Sequence, residues 1–170
     1  MNEEEFMWYL DQFSMHYKLL LRRYKRFQEV NDIHNLDIDV ITYLDIVIVQ
    51  LRAICIENDK LSKNYTVQNL LRHVNREDLA TKIDDMLAES FFSHRADYDI
   101  RRALKTLADK YICHYDSIDI YEKTVSQMIE NNLRSPFETR NLDYIMNVIT
   151  TCVGEGLSLT NLLNAFGSDD

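Results

Sequence analysis

An all-α fold is predicted, a helical bundle of about four long helices with shorter ones between them, and three features of the sequence predict it. Glycine and proline are scarce, 3 and 1 in 170 residues, so the residues that hairpins and tight sheet connections need are nearly missing. Apolar side chains recur every three or four positions along most of the chain, the period of a helix with one buried face. The apolar run from Ile38 to Ile56 contains no turn signal and is too long for an ordinary strand. One domain, residues 1–170, is expected, because this length suffices for one well-buried core and is short for two.

The first helix is predicted from about Glu4 to Val30 on Phe6, Tyr9, Leu10, Phe13, Tyr17, Leu20, Leu21, Tyr24 and Phe27. Its second half carries Lys18, Arg22, Arg23, Lys25 and Arg26, a solvated face near a helix C-terminus or a stripe for phosphates. After a polar break from Asn31 to Asp37, Ile38 to Ile56 reads as a buried central helix, although its β-branched residues also suit a strand. Asn58 to Tyr65 reads as a loop. Thr66 is placed to cap a short helix through Val74, and a second short helix follows from Glu77 to Ala88 on Leu79, Ile83, Met86 and Leu87.

A polar, aromatic stretch around Ser90 to Asp97 separates these from a helix predicted over Tyr98 to Cys113 on Ile100, Leu104, Leu107 and Tyr111. Tyr115 to Asp119 breaks it, and Ile120 to Leu133 is the next helix. Pro136 opens a further one, whose buried stripe is Leu142, Ile145, Met146, Ile149 and Val153 and which Gly154 and Gly156 end. Ser158 is placed to cap a last short helix.

Charge and composition narrow the functional classes. A net charge of −9 and a pI near 5.0 repel nucleic acid globally, so any RNA contact must come from a local basic patch. The three cysteines, Cys55, Cys113 and Cys152, are odd in number and widely spaced, which fits neither a disulfide framework nor a zinc site. Free thiols in a reducing cytoplasm are expected. The opening Glu3-Glu4-Glu5 is the opposite of a signal peptide's basic start, and no apolar run approaches the roughly 20 residues of a membrane span. A soluble protein without a membrane partner follows. There is no phosphate-binding loop, no Gly-x-Ser-x-Gly elbow and no His-Glu-x-x-His pair, so neither a metal nor a cofactor is expected. Trp8 and the ten tyrosines fall mostly on the apolar stripes and read as core rather than as base-stacking platforms.

Chemistry concentrates in Leu107-Ala108-Asp109-Lys110-Tyr111-Ile112-Cys113-His114-Tyr115-Asp116. Lys110 and His114 are four apart and share a helix face. A neighbouring cation holds an imidazole neutral at physiological pH, which suits general-base work on a hydroxyl. On spacing alone a plainer reading competes: His114 at a helix C-terminus facing free carbonyls, with Asp116 as its polar partner.

The segment resembles the signature of the HEPN superfamily (higher eukaryotes and prokaryotes nucleotide-binding), an Arg, a polar residue and then a His. In the abortive-infection branch the corresponding run is matched here by Leu107, Asp109, Lys110, His114 and Asp116. The apolar helix Ile38 to Ile56, the polar loop after it and the Thr66 to Val74 segment also resemble that branch, so the likeness covers roughly Asp37 to Asn132. It implies a metal-independent endoribonuclease, the toxin or effector of a prokaryotic antiviral defence or toxin–antitoxin system. Its substrate would be RNA, its assembly a homodimer with a composite cleft, and an antitoxin protein a further partner. On that transfer His114 is the acid/base and Asp109 orients it or its neighbours. Lys110, Arg101, Arg102 and Lys105 border a locally positive cleft, and Tyr115 and Asp116 support it.

Ala108 stands where the family has its catalytic Arg, and Arg101 and Arg102 are too far upstream to satisfy the spacing. Losing one such electrostatic stabiliser costs roughly 100-fold or more in rate, so the resemblance implies a chain that is weakly active or inactive. An inactivating substitution, a naturally silent domain kept for binding, and a chance likeness each account for Ala108. The alternative to a nuclease is a non-catalytic helical module that binds a partner protein, and a third is an unrelated bundle in which His114 caps a helix.

Overall fold

In the computed structural model, residues 2–31, 38–56, 66–92, 95–112, 139–158 and 160–162 are described. Helices dominate them, and the fold is all-α. The first helix, α1 (Glu3–Asn31), buries Phe6, Phe13, Leu20 and Phe27, one side chain every seven residues, together with Val30. A seven-residue repeat of large apolar groups keeps one seam of a long helix against a neighbour. That neighbour is α2 (Ile38–Cys55).

The β-branched residues of α2 do not make it a strand. Val40, Leu44, Val47, Ile48, Leu51, Ile54 and Cys55 are buried and share one broad helical face, with Tyr43, Val49 and Ile56 partly buried against the core beside it. It packs against α1, against α3 (Val67–His73), against α5 (Ile100–Thr106) and against the helical turn that continues α5. Thr66 occupies the N-cap position of α3 with extended dihedrals, but its side chain makes no capping bond. The expected cap is therefore corrected to a position without its hydroxyl bond. Asn75, at φ 60, turns the chain out of α3 in the left-handed region, where Asn is tolerated better than most residues. Arg76 then donates its backbone N–H to Leu71 O at 2.9 Å, and α4 (Glu77–Ala88) begins with Glu77 and Asp78 at the positive end of its dipole.

The stretch after α4 is a two-stranded antiparallel hairpin, β1 (Ser90–Phe92) and β2 (Arg95–Asp99), with Ser90 facing Asp99 and Phe92 facing Arg95. Tyr98, expected at a helix start, lies in β2. The helix starts one residue after Asp99, whose carboxylate accepts the Arg102 backbone N–H at 2.6 Å and so fixes the boundary. From Leu107 to Ile112 the helix is wound as a π-helix. The last long helix, α6 (Thr139–Gly156), packs on α4 and α3. Tyr24 of α1 donates its hydroxyl to Asp143 of α6, and Tyr144 donates to Glu89 at 2.5 Å. Buried residues of all six helices belong to one core cluster. Among the described residues, no helix is long and apolar enough to cross a membrane. The helix expected over Ile120 to Leu133, its start at Pro136 and the Asn58 to Tyr65 loop lie outside the described residues.

Two stability effects follow from these contacts. Gly154 is inside α6 in open space, whereas a Cβ on Gly156 would lie 2.1 Å from Leu71 Cδ2 and 3.0 Å from Leu79 Cδ1. Leu71 is fully buried, so Gly156→Ala is expected to cost about 1–3 kcal/mol, measured by urea denaturation. A loss under about 0.5 kcal/mol would mean that Leu71 repacks freely. On the other side of the bundle, Phe6 stacks on His73 with ring centroids 4.5 Å apart and planes at 23°, and desolvation lowers the His73 pKa from 6.5. The unfolded chain then binds the proton more readily than the folded one. The stability this group contributes is fully present above its unfolded pKa and is lost as pH falls through the folded value. Denaturation midpoints are expected to fall below about pH 6.5, and His73→Gln should remove that component of the pH dependence.

Candidate functional site

The segment singled out in the sequence is split by the fold into an inward and an outward part. On α5, Ile100, Ala103 and Leu104 face the core, and the π-helical turn continues that face with Leu107 (3% exposed) and Ala108 (0%). A π turn places one extra residue in the turn, and such turns occur frequently at functional sites. Asp109, next in sequence, leaves the core and meets Arg52 of the last turn of α2. Arg52 Nε lies 2.6 Å from Asp109 Oδ1, with the two side chains 28% and 30% exposed. The guanidinium that forms an ion pair with this segment therefore comes from α2, not from position 108.

One turn further along α2, Cys55 borders a polar cavity of about 270 Å³ lined also by Thr66, Gln68, Asn69, Arg72, Asp84 and Arg101. Asp84 is its centre. It accepts Arg72 NH2 at 2.6 Å and Arg101 NH2 at 3.1 Å, and Gln68 Nε2 at 3.2 Å. Gln68, 4% exposed, also donates to the Cys55 carbonyl at 2.9 Å, which ties α3 to the end of α2. Burial pushes the Cys55 thiol far above its ordinary range, so it remains a protonated, inert lining group. Arg72 also pairs with Glu77 at 3.1 Å, so two forked cations and two carboxylates form one balanced ionic array at the seam.

Of the residues proposed from sequence, Asp109 is in the Arg52 pair and Arg101 in the Asp84 array. Arg102 and Lys105 are exposed on α5, the backbone N–H of Arg102 serving the Asp99 cap. Lys110 belongs to the π turn by its backbone, and its side chain is outside the described residues, as are His114, Tyr115 and Asp116. Ala108, the position matched to the family's Arg, is sealed in the core and faces no solvent. Arg52, Arg72 and Asp84 were missed by the sequence reading. Arg52 had a signal, as the one basic residue of a largely apolar helix. Arg72 and Asp84 had none, because their pairing joins α3 to α4 across the tertiary fold.

Among the described residues, no group of three or more His, Cys, Asp or Glu side chains is placed to hold a metal ion. Fold and site define an all-α protein with a charged seam where α2, α3, α4 and α5 meet. Comparison with protein-family models, with curated proteins and with solved structures gave no match.

Proposed function

We propose that the chain is an HEPN-type, metal-independent endoribonuclease domain, of the toxin or effector kind found in prokaryotic defence and toxin–antitoxin systems, with its cleavage weakened by Ala108. The observation that supports this most is the Arg52–Asp109 pair at 2.6 Å, because it supplies a guanidinium to the segment that lacks the family's own. In this reading His114 takes the proton of a ribose 2′-hydroxyl. The freed oxygen attacks the adjacent phosphorus, the 5′-oxygen of the next nucleotide leaves and takes up a proton, and a cyclic phosphate remains. Arg52 and the cations Arg101, Arg102, Lys105 and Lys110 attract the RNA backbone and offset charge on the phosphoryl oxygens.

The test is cleavage of a mixed RNA pool without added metal by the unaltered chain, by Ala108→Arg and by Ala108→Arg with His114→Ala. Slow cutting by the first, roughly 100-fold faster cutting by the folded fraction of the second, and none by the third is the expected pattern. If none of the three cuts while all are folded by circular dichroism, the nuclease reading falls. The complete burial of Ala108 favours a second reading, a non-catalytic helical module of the same resemblance that binds a protein partner such as an antitoxin. It predicts no cleavage by any variant and capture of that partner by the unaltered chain.

A further inference from the structure

The solvent face of α1 has an order that neither the core nor the charged seam uses. Glu4, Trp8, Asp11, Met15, Lys18, Arg22 and Arg26 are all exposed and follow one another at three- and four-residue steps, so they form one stripe along the helix. Trp8 is 57% exposed and Met15 50%, unusual for large apolar groups on the outside of a helix whose other side is fully packed. The stripe is acidic at its start and basic at its end, with its apolar groups in the first half and at the middle. Read backwards against itself about Met15, its ends are complementary. Glu4 then faces Arg26, Trp8 faces Arg22 and Met15 faces its own copy, while Asp11 falls opposite Leu19 and Lys18 opposite the half-buried Gln12.

We propose that α1 is a self-association surface, on which two copies of the chain pair antiparallel with the two-fold axis at Met15. Such an isologous contact repeats each interaction twice: two Glu4–Arg26 ion pairs at the ends, two guanidiniums over indole faces between them, and the methionine pair at the centre. A parallel, in-register pairing sets Glu4 against Glu4 and Arg26 against Arg26, and like charges oppose it. Arg26 already bonds Glu29 at 3.0 Å and Tyr43 of α2, but its side chain is 53% exposed, so its guanidinium is still reachable for a partner's carboxylate. With helix axes about 8–10 Å apart and a backbone radius of about 2.3 Å, the two Met15 backbones come within disulfide range. The two Glu4 residues end up about 33 Å apart. Trp8 is the sole tryptophan, so its emission reports the contact directly. The RNA reading implies a homodimer of its own, around the His114 segments, so sedimentation alone does not separate the two, and the Met15 and Glu4–Arg26 crosslinks decide whether the contact is on α1.

The test uses the full chain with Cys113→Ser throughout, at low ionic strength. Sedimentation velocity should show dimer, and Trp8 emission should shift to the blue with rising concentration. Met15→Cys should crosslink to itself on mild oxidation. A mixture of Glu4→Cys chains and Arg26→Cys chains should give the mixed disulfide, while Glu4→Cys alone should give none. Glu4→Arg should weaken association about tenfold or more, and combining it with Arg26→Glu should restore it. These positions are on the helix surface, and circular dichroism checks that the helix persists. A monomer at all concentrations, or a dimer in which Glu4→Cys pairs with itself and not with Arg26→Cys, overturns the proposal.

Discussion

Ala108→Arg is expected to lower the stability of the folded chain by about 3 kcal/mol or more, even as it supplies the group that the cleavage chemistry lacks. Position 108 is 0% exposed and belongs to the core cluster, so a guanidinium there gives up its hydration and meets mainly apolar neighbours. Arg52 is close by through its ion pair with Asp109, and a second cation beside it adds repulsion. The long stem lets the charged end reach toward water, which sets the cost nearer the lower end for a buried charge. For a chain of this size the loss corresponds to roughly a 10 °C fall in Tm. Urea denaturation of Ala108→Arg beside Ala108→Met separates the charge from the bulk: the methionine variant should lose clearly less. If the arginine variant loses under about 1 kcal/mol, position 108 is within reach of solvent and the burial argument is wrong. The RNA assay of this variant must therefore be normalised to its folded fraction.

Phe13→Ala should cost about 3–5 kcal/mol. Phe13 is 1% exposed, stacks on Tyr17 with ring centroids 5.5 Å apart, and occupies the second position of the seven-residue seam that holds α1 on α2. Removing its ring leaves a cavity between two long helices that cannot both relax inward. Two residues on, Met15→Ala changes the exposed face and should shift the stability of a single chain by no more than about 0.5 kcal/mol. Chemical denaturation of both variants at low protein concentration makes the comparison. Similar losses from the two would mean that the buried seam and the open stripe have been assigned to the wrong faces.

These two residues also mark how far the sequence could be read. The 3.6-residue period gave α1 its buried side, and length overrode β-branching in α2, because apolar spacing is a local property of the chain. The hairpin at Ser90 to Asp99 was not legible, since the segment has neither glycine nor an Asn-Gly pair to flag its turn. The start of α5 is legible in principle, since Asp99 directly before the apolar Ile100 is an N-cap signal. Nothing in the sequence marks a π turn. Asp109 was singled out through the resemblance, but its ion pair with Arg52 joins residues 57 positions apart, a separation that no motif spans. The Arg72–Asp84–Arg101 array is invisible for the same reason. His114, on which the chemistry turns, lies outside the described residues, so its role rests on the resemblance and on the cleavage assay.

The Tyr24–Asp143 bond also bears on time. Its partners are 119 residues apart, and at about 5–20 residues per second on the ribosome the carboxylate emerges roughly 6–24 s after the phenol. The α1–α2 pair is available early, whereas α6, which covers α4, comes last. Until then the part of α4 that α6 covers, Leu79 beside Gly156 among it, has only α3 and α5 against the rest of the helix. A nascent chain at that stage displays a bare apolar ridge, the kind of surface on which holding chaperones act and from which aggregation starts.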